Sequence, residues 1–196
     1  MGEKQTGYIN ETKKKNFDDS KVREFVIWWF KTFYDIEFIN GEEYGVDLVS
    51  KYNKPGTNYK IYIELEHGTW KGDLWTNLYY ELLSQLGYPT VNIPLRKLHL
   101  WFDGLKKSKP DLYYVLDMIA NGKLTPNNNE TYFIRTNKDF TQMILIRPSV
   151  IKNLKNFVFN EFSTKTGSHP EPFLCFPKNV VETKDEKSGI WTLQSI

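Results

Sequence analysis

The sequence predicts an α/β domain: a mixed central sheet flanked by helices, with a C-terminal extension of a hairpin and a helix. Three observations carry this. Apolar residues at helical spacing over 21–34 precede three short extended segments between 36 and 66. A second helical pattern over 73–86 then separates the third strand from a fourth apolar segment at 91–102. The first links are short, which antiparallel strands allow, whereas the helical crossover returns the chain parallel.

Length and composition suit one domain with a real core. The chain has 196 residues, 40% of them hydrophobic and 16% aromatic. The aromatic surplus exceeds what a core requires and leaves rings for a surface, where they can stack on a partner. A net charge of +2 excludes a basic nucleic-acid coat protein, although a basic face can lie beside an acidic pocket. The single cysteine, Cys175, excludes an internal disulfide framework and fits a reducing compartment. No apolar run approaches the roughly 18 residues that span a membrane, and the polar start lacks a signal-peptide core. A cytoplasmic, soluble protein is expected.

The chain divides into a flexible arm (1–17), a core (18–118) and an extension packed on that core (119–196). The arm carries Lys13, Lys14 and Lys15. Asp18, Asp19 and Ser20 offer N-caps to the first helix, and Val22, Phe25, Val26, Trp29, Phe30 and Phe33 form its apolar face. Short strands are expected at 36–39, 44–50 and 59–66, with Pro55-Gly56 in the turn between the last two. Asp73 caps the second helix, and Gly87 ends it. In VNIPLRKLHLWF the alternation changes phase at Arg96-Lys97, which predicts a bulged strand. A strand at 111–118, a hairpin from 131–136 and 140–147, and a helix opened by Pro148 complete the order.

The stretch Tyr44–Trp70 holds the chemistry. In its second strand Tyr59, Ile61, Ile63 and Leu65 fall on one face, and Lys60, Tyr62, Glu64 and Glu66 on the other. Glu64 and Glu66 thus project side by side, and pairing with the preceding strand would bring Asp47 to the same point. An acid inside a largely apolar strand needs a partner or a metal. Three crowded carboxylates repel unless something positive sits among them, and a hard divalent cation with oxygen ligands is the usual answer.

This pattern resembles the PD-(D/E)xK nuclease superfamily, the restriction-endonuclease-like fold. Gly45-Val46-Asp47-Leu48 matches the first half of its motif, and Glu64-Leu65-Glu66 stands where (D/E)-x-K is expected, 64 − 47 = 17 residues later. The resemblance covers roughly residues 18–118 and implies an αβββαβ core and metal-dependent hydrolysis of DNA, endonucleolytic rather than exonucleolytic. It implies one or two Mg²⁺ or Mn²⁺ ions held by Asp47, Glu64, the Leu65 carbonyl and Glu66, with Glu24 as the acid some members place on the first helix. Glu66 replaces the lysine of the motif. Glu66 would then bind a second metal or orient water, and a relocated lysine would supply the charge: Lys97 first, then Lys71, with His67 third. IPLRK looks like a basic step found in phage and bacterial relatives. Arg96, Lys97, Lys71, Lys106 and Lys107 are the expected DNA contacts. A homodimer would give paired cuts. The alternative is a nuclease fold without catalysis that binds nucleic acid or a protein; an α+β binding domain with ordinary surface acids is the third reading.

Overall fold

The computed structural model describes residues 20–81, 86–162, 171–182 and 189–192. Expectations for the arm with Lys13–Lys15, for the caps at Asp18 and Asp19, and for the end of the second helix at 82–85 fall outside them. Helix α1 covers residues 20–34. Strands β1 (Phe38–Asn40), β2 (Leu48–Ser50) and β3 (Ile61–His67) follow, then helix α2 (Leu74–Glu81) and strand β4 (Thr90–Pro94). A 3-10 segment, Leu95–Leu100, leads to β5 (Phe102–Asp103), helix α3 (Leu112–Ala120), β6 (Thr125–Pro126), β7 (Glu130–Thr136) and β8 (Gln142–Ile146). The short helix α4 (Pro148–Ile151), a 3-10 turn, β9 (Val158–Phe162), β10 (Glu171–Pro177), helix α5 (Lys178–Val181) and β11 (Gly189–Thr192) finish the chain.

The central sheet is mixed, with order β1-β2-β3-β7-β8-β11. Its neighbours are antiparallel except β3 and β7, which run parallel with Glu64 beside Phe133 and Glu66 beside Arg135. Helices flank this sheet. Ile61, Ile63 and Leu65 turn one face of β3 toward Val22, Val26 and Trp29 of α1, with Leu48, Ile134, Met143 and Leu145 in the same cluster. Opposite, Phe133, Ile144 and Ile146 pack with Leu74, Trp75 and Leu78 of α2 and with a second sheet, β4-β10-β9. The period-two pattern of β3 thus sorts an apolar face against α1 from a face bearing Tyr62, Glu64 and Glu66.

Four expectations are corrected. The predicted fourth strand does not lie beside β3; β4 belongs to the second sheet, and β7 takes that place. The phase change at Arg96-Lys97 is no bulge. Pro94, which has no N–H to donate, closes β4, and Leu95 and Leu98 are both buried at the three-residue spacing of a 3-10 segment. Residues 111–118 form a helix, because the Asp111 carboxylate accepts the Tyr114 N–H at 2.8 Å and Val115 and Met118 share its buried face. The helix opened by Pro148 lasts one turn before the chain enters β9; Asn153 caps a new 3-10 turn instead, accepting from the Lys155 N–H at 3.1 Å.

Candidate functional site

Asp47 stands just ahead of β2 rather than within it. The chain makes a 3-10 turn at Glu42–Tyr44, leaves it through Gly45 at φ 70°, and reaches Asp47 in a bend. A positive φ favours glycine here, since a Cβ would be strained. The Asp47 N–H donates to the Ile63 carbonyl at 3.1 Å, which draws the residue against β3. Its side chain completes the link: Oδ2 accepts the Leu65 N–H at 2.8 Å. Oδ1 accepts from Arg23 Nη2 of α1, also at 2.8 Å. Glu42 lies 3.5 Å from the other terminal nitrogen of Arg23.

Glu64 is the buried member, only 4% exposed. Lys97, carried in by the 3-10 segment, donates to its Oε1. Its Oε2 is buried and meets no hydrogen-bond donor among the described residues, and the same holds for Glu66 Oε2. Burial pushes the Glu64 carboxyl up to about 7, and the nearby Asp47 charge adds to the rise, against the opposing pull of Lys97 and Arg96. The Asp47 carboxylate accepts the N–H of Leu65, the residue after Glu64, and this bond places the two acids at one locus.

Glu66, two residues on, has a different partner. Arg135 on β7 lies across the parallel register from it, and Arg135 Nη1 approaches Glu66 Oε2 at 2.8 Å. Arg135 is buried, whereas the Glu66 side chain is 41% exposed. His67 follows with Nδ1 3.0 Å from Thr136 Oγ1 and its ring stacked on Phe140. Among the described residues, no three of His, Cys, Asp and Glu converge as a metal-holding group. Asp47, Glu64 and Glu66 therefore form a pair and a neighbour, not a triad.

The other expected residues spread out. Glu24 is exposed on α1, whereas Arg23 of that helix reaches Asp47. Arg96 pairs with Glu171 of β10 at 2.9 Å. Lys71 is exposed in the loop before α2. Lys106 and Lys107 lie in the loop before α3, where the Lys106 N–H donates to the Tyr114 hydroxyl and Lys107 sits 4.8 Å above the Tyr114 ring. Leu65 is tied to Asp47 through its N–H.

Sequence reasoning passed over Arg23 and Arg135. Each carried a signal. Arg135 interrupts the apolar run Phe133–Ile134, and a buried arginine requires a counter-charge. Arg23 adjoins Val22 at the edge of the apolar stripe of α1. What was missing was the pairing of β3 with β7, which brings Arg135 to Glu66. Comparison with family models, curated proteins and solved structures returns no match for this chain.

Proposed function

We propose that the chain is a divalent-metal-dependent DNA endonuclease of the PD-(D/E)xK type, with a restriction-endonuclease-like core, acting inside the cell. The observation that carries this reading is Lys97 on the buried Glu64, with Asp47 beside it. An acid, a second acid and a lysine, the three groups of the motif, come together although the lysine comes from another element. The order α1, β1, β2, β3, crossover helices and then β7 parallel to β3 supports the fold reading.

The residues fit a hard cation. Asp47 and Glu64 offer carboxylate oxygens, and the orphaned Glu64 Oε2 is a buried acceptor that a cation would satisfy. A bound Mg²⁺ or Mn²⁺ supplies an acidified water and neutralises charge on the phosphate. The protein's part is electrostatic. Arg23 and the Leu65 N–H hold Asp47 in place. Lys97 keeps a positive charge where the phosphorane charge develops. Arg96, exposed beside it, is paired with Glu171 and would contact the DNA backbone by leaving that partner.

The second reading, a nuclease fold that binds without cleaving, rests on one observation: Asp47, Glu64 and Glu66 each already face a protein cation. Incubating wild type, Asp47→Ala and Lys97→Met with plasmid and single-stranded DNA in Mg²⁺ or Mn²⁺ decides between them. Nicking by wild type is expected, with a loss of about a hundredfold or more in each variant, the scale of one lost charge-stabilising group. Equal nicking by all three, or none by wild type with either metal, would remove the catalytic reading.

A further inference from the structure

We propose that Tyr44, backed by Tyr62, is a stacking platform for an unpaired base next to the scissile phosphate, so that the site takes single-stranded DNA. This rests on the nuclease reading above and specifies the form of its substrate. Three observations lead to it. First, the two rings adjoin the acids. Tyr62 and Glu64 are alternate residues of β3, so their side chains leave one face of the strand about 7 Å apart. Tyr44 lies in the turn that leads to Asp47, and its ring meets that of Tyr62 at 5.9 Å between centroids and 55° between planes. Second, the Tyr44 side chain is open. The residue is 49% exposed although its ring rests on Tyr62. The turn does not depend on that ring, because backbone bonds close it: the Tyr44 N–H donates to the Gly41 carbonyl at 2.8 Å, Gly45 to Glu42 at 3.0 Å, and Val46 to Gly41 at 3.3 Å. A half-exposed ring that its own turn does not need is open to a planar partner, and every base has a π-face.

Third, charge sorts the parts of a nucleotide. Glu42 and Glu43, both exposed, precede Tyr44 in the turn, so a phosphate is repelled there. The positive groups lie on the acids, Lys97 on Glu64 and Arg23 on Asp47. A strand with its phosphate at Lys97 thus finds acids and an aromatic ring at Tyr44, surroundings that suit a neutral base and not a backbone. Duplex DNA fits this arrangement poorly. It presents phosphates to a surface, and a base reaches Tyr44 only after being turned out of the stack, at the cost of unpairing and unstacking.

The test is a fluorescence-anisotropy titration of the full chain with a labelled thymidine oligonucleotide, single-stranded or annealed to its complement, in chelator and in Ca²⁺. Wild type is expected to bind the single strand tighter by about tenfold or more, the cost of unpairing a base. Tyr44→Ala should weaken single-strand binding about fivefold to a hundredfold, the worth of one stacked base, and leave duplex binding unchanged. Tyr44→Phe, which keeps the ring, should bind as wild type does. So should Tyr52→Ala, an exposed tyrosine past the opposite end of β2 from Asp47. Equal binding of single strand and duplex, or unchanged affinity in Tyr44→Ala, overturns the inference; plasmid nicking by wild type would then keep the nuclease reading. An equal loss for both forms in Tyr44→Ala, or a loss in Tyr44→Phe as large as in Tyr44→Ala, also overturns it, since the ring would then be structural or the hydroxyl responsible. No binding of either form overturns the inference, and plasmid left intact would remove the nuclease reading with it. Single-strand binding lost in Tyr44→Ala, without cleavage by wild type, keeps the platform and leaves the reading of a fold that binds without cutting.

Discussion

At the scale of single residues the decisive group is Glu64. Its neighbours conflict: burial and the Asp47 charge favour the acid form, while Lys97 favours the carboxylate, and the balance lies near neutrality, about 7. The consequence for stability has a definite sign. A carboxyl raised above its ordinary value lets the native state hold a proton that the unfolded chain has already released. Without metal, stability should therefore fall as pH climbs from the usual carboxylate range to about 7, and level off above it. The loss is at most about 3.5 kcal/mol, since each pH unit of difference is worth about 1.4 kcal/mol and the coupling to Lys97 makes this an upper bound. Urea unfolding of wild type and Glu64→Gln at pH 5 and pH 8 in a chelator checks it. The glutamine variant should gain on wild type at the higher pH; a constant difference would place the proton elsewhere. Metal affinity should move the opposite way, strengthening as Glu64 loses its proton and flattening above about pH 7.

At the scale of elements, β3 organises the rest. Its alternation was legible in the sequence because a period of two needs no tertiary knowledge: Ile61, Ile63 and Leu65 had to face a core, and Glu64 and Glu66 had to face away from it. The first helix was legible from its own period of about 3.6, and the hairpin of β7 and β8 from its alternation. The neighbour of β3 was not. A strand supplied from 69 residues beyond (135 − 66 = 69) leaves no local trace, and the apolar run at 91–102 was a nearer and equally plausible candidate. Lys97 was named as the relocated lysine on the assumption that its strand adjoined β3. It does reach Glu64, but from a 3-10 segment that Pro94 begins. The β3–β7 junction has a tight point just past its C-terminal end. The Gly68 N–H donates to the Thr136 carbonyl at 2.7 Å, and a Cβ on Gly68 would lie 2.7 Å from that oxygen, closer than real contacts allow. Gly68→Ala should therefore cost about 1–3 kcal/mol, as overpacking does, and displace the adjoining His67 and Glu66. Equilibrium denaturation measures the first effect. A weakened Mn²⁺-independent protection of the Arg135 and Thr136 amides in hydrogen exchange measures the second; unchanged protection would mean the loop yields instead of the strands.

At the scale of the whole molecule, the site exists only because two sheets share a core. Glu64 belongs to the central sheet and Asp47 to the bend that leads into it, and Lys97 belongs to the segment that continues the β4 strand of the other. What holds that segment in place is apolar packing: Leu95, Leu98 and Trp101 are fully or almost fully buried, in one cluster with Phe133, Ile144 and Ile146 of the central sheet and Ile93, Leu174 and Phe176 of the second. The indole N–H of Trp101 also donates to the Thr131 carbonyl of β7 at 2.8 Å, a direct tie from the lysine-bearing segment to the strand beside β3. A core shared in this way should not come apart in stages. Ile93→Ala, which empties a fully buried position in β4, should cost about 2–5 kcal/mol by lost burial and cavity formation. It should do so in one transition seen alike by tryptophan fluorescence and far-ultraviolet circular dichroism. If the second sheet were instead an independent appendage, the two probes would separate, and Lys97 would leave Glu64 while the central sheet remained folded. Coincident transitions in the variant would mean that the lysine is delivered by the global fold, so that the site is assembled whenever the protein is native.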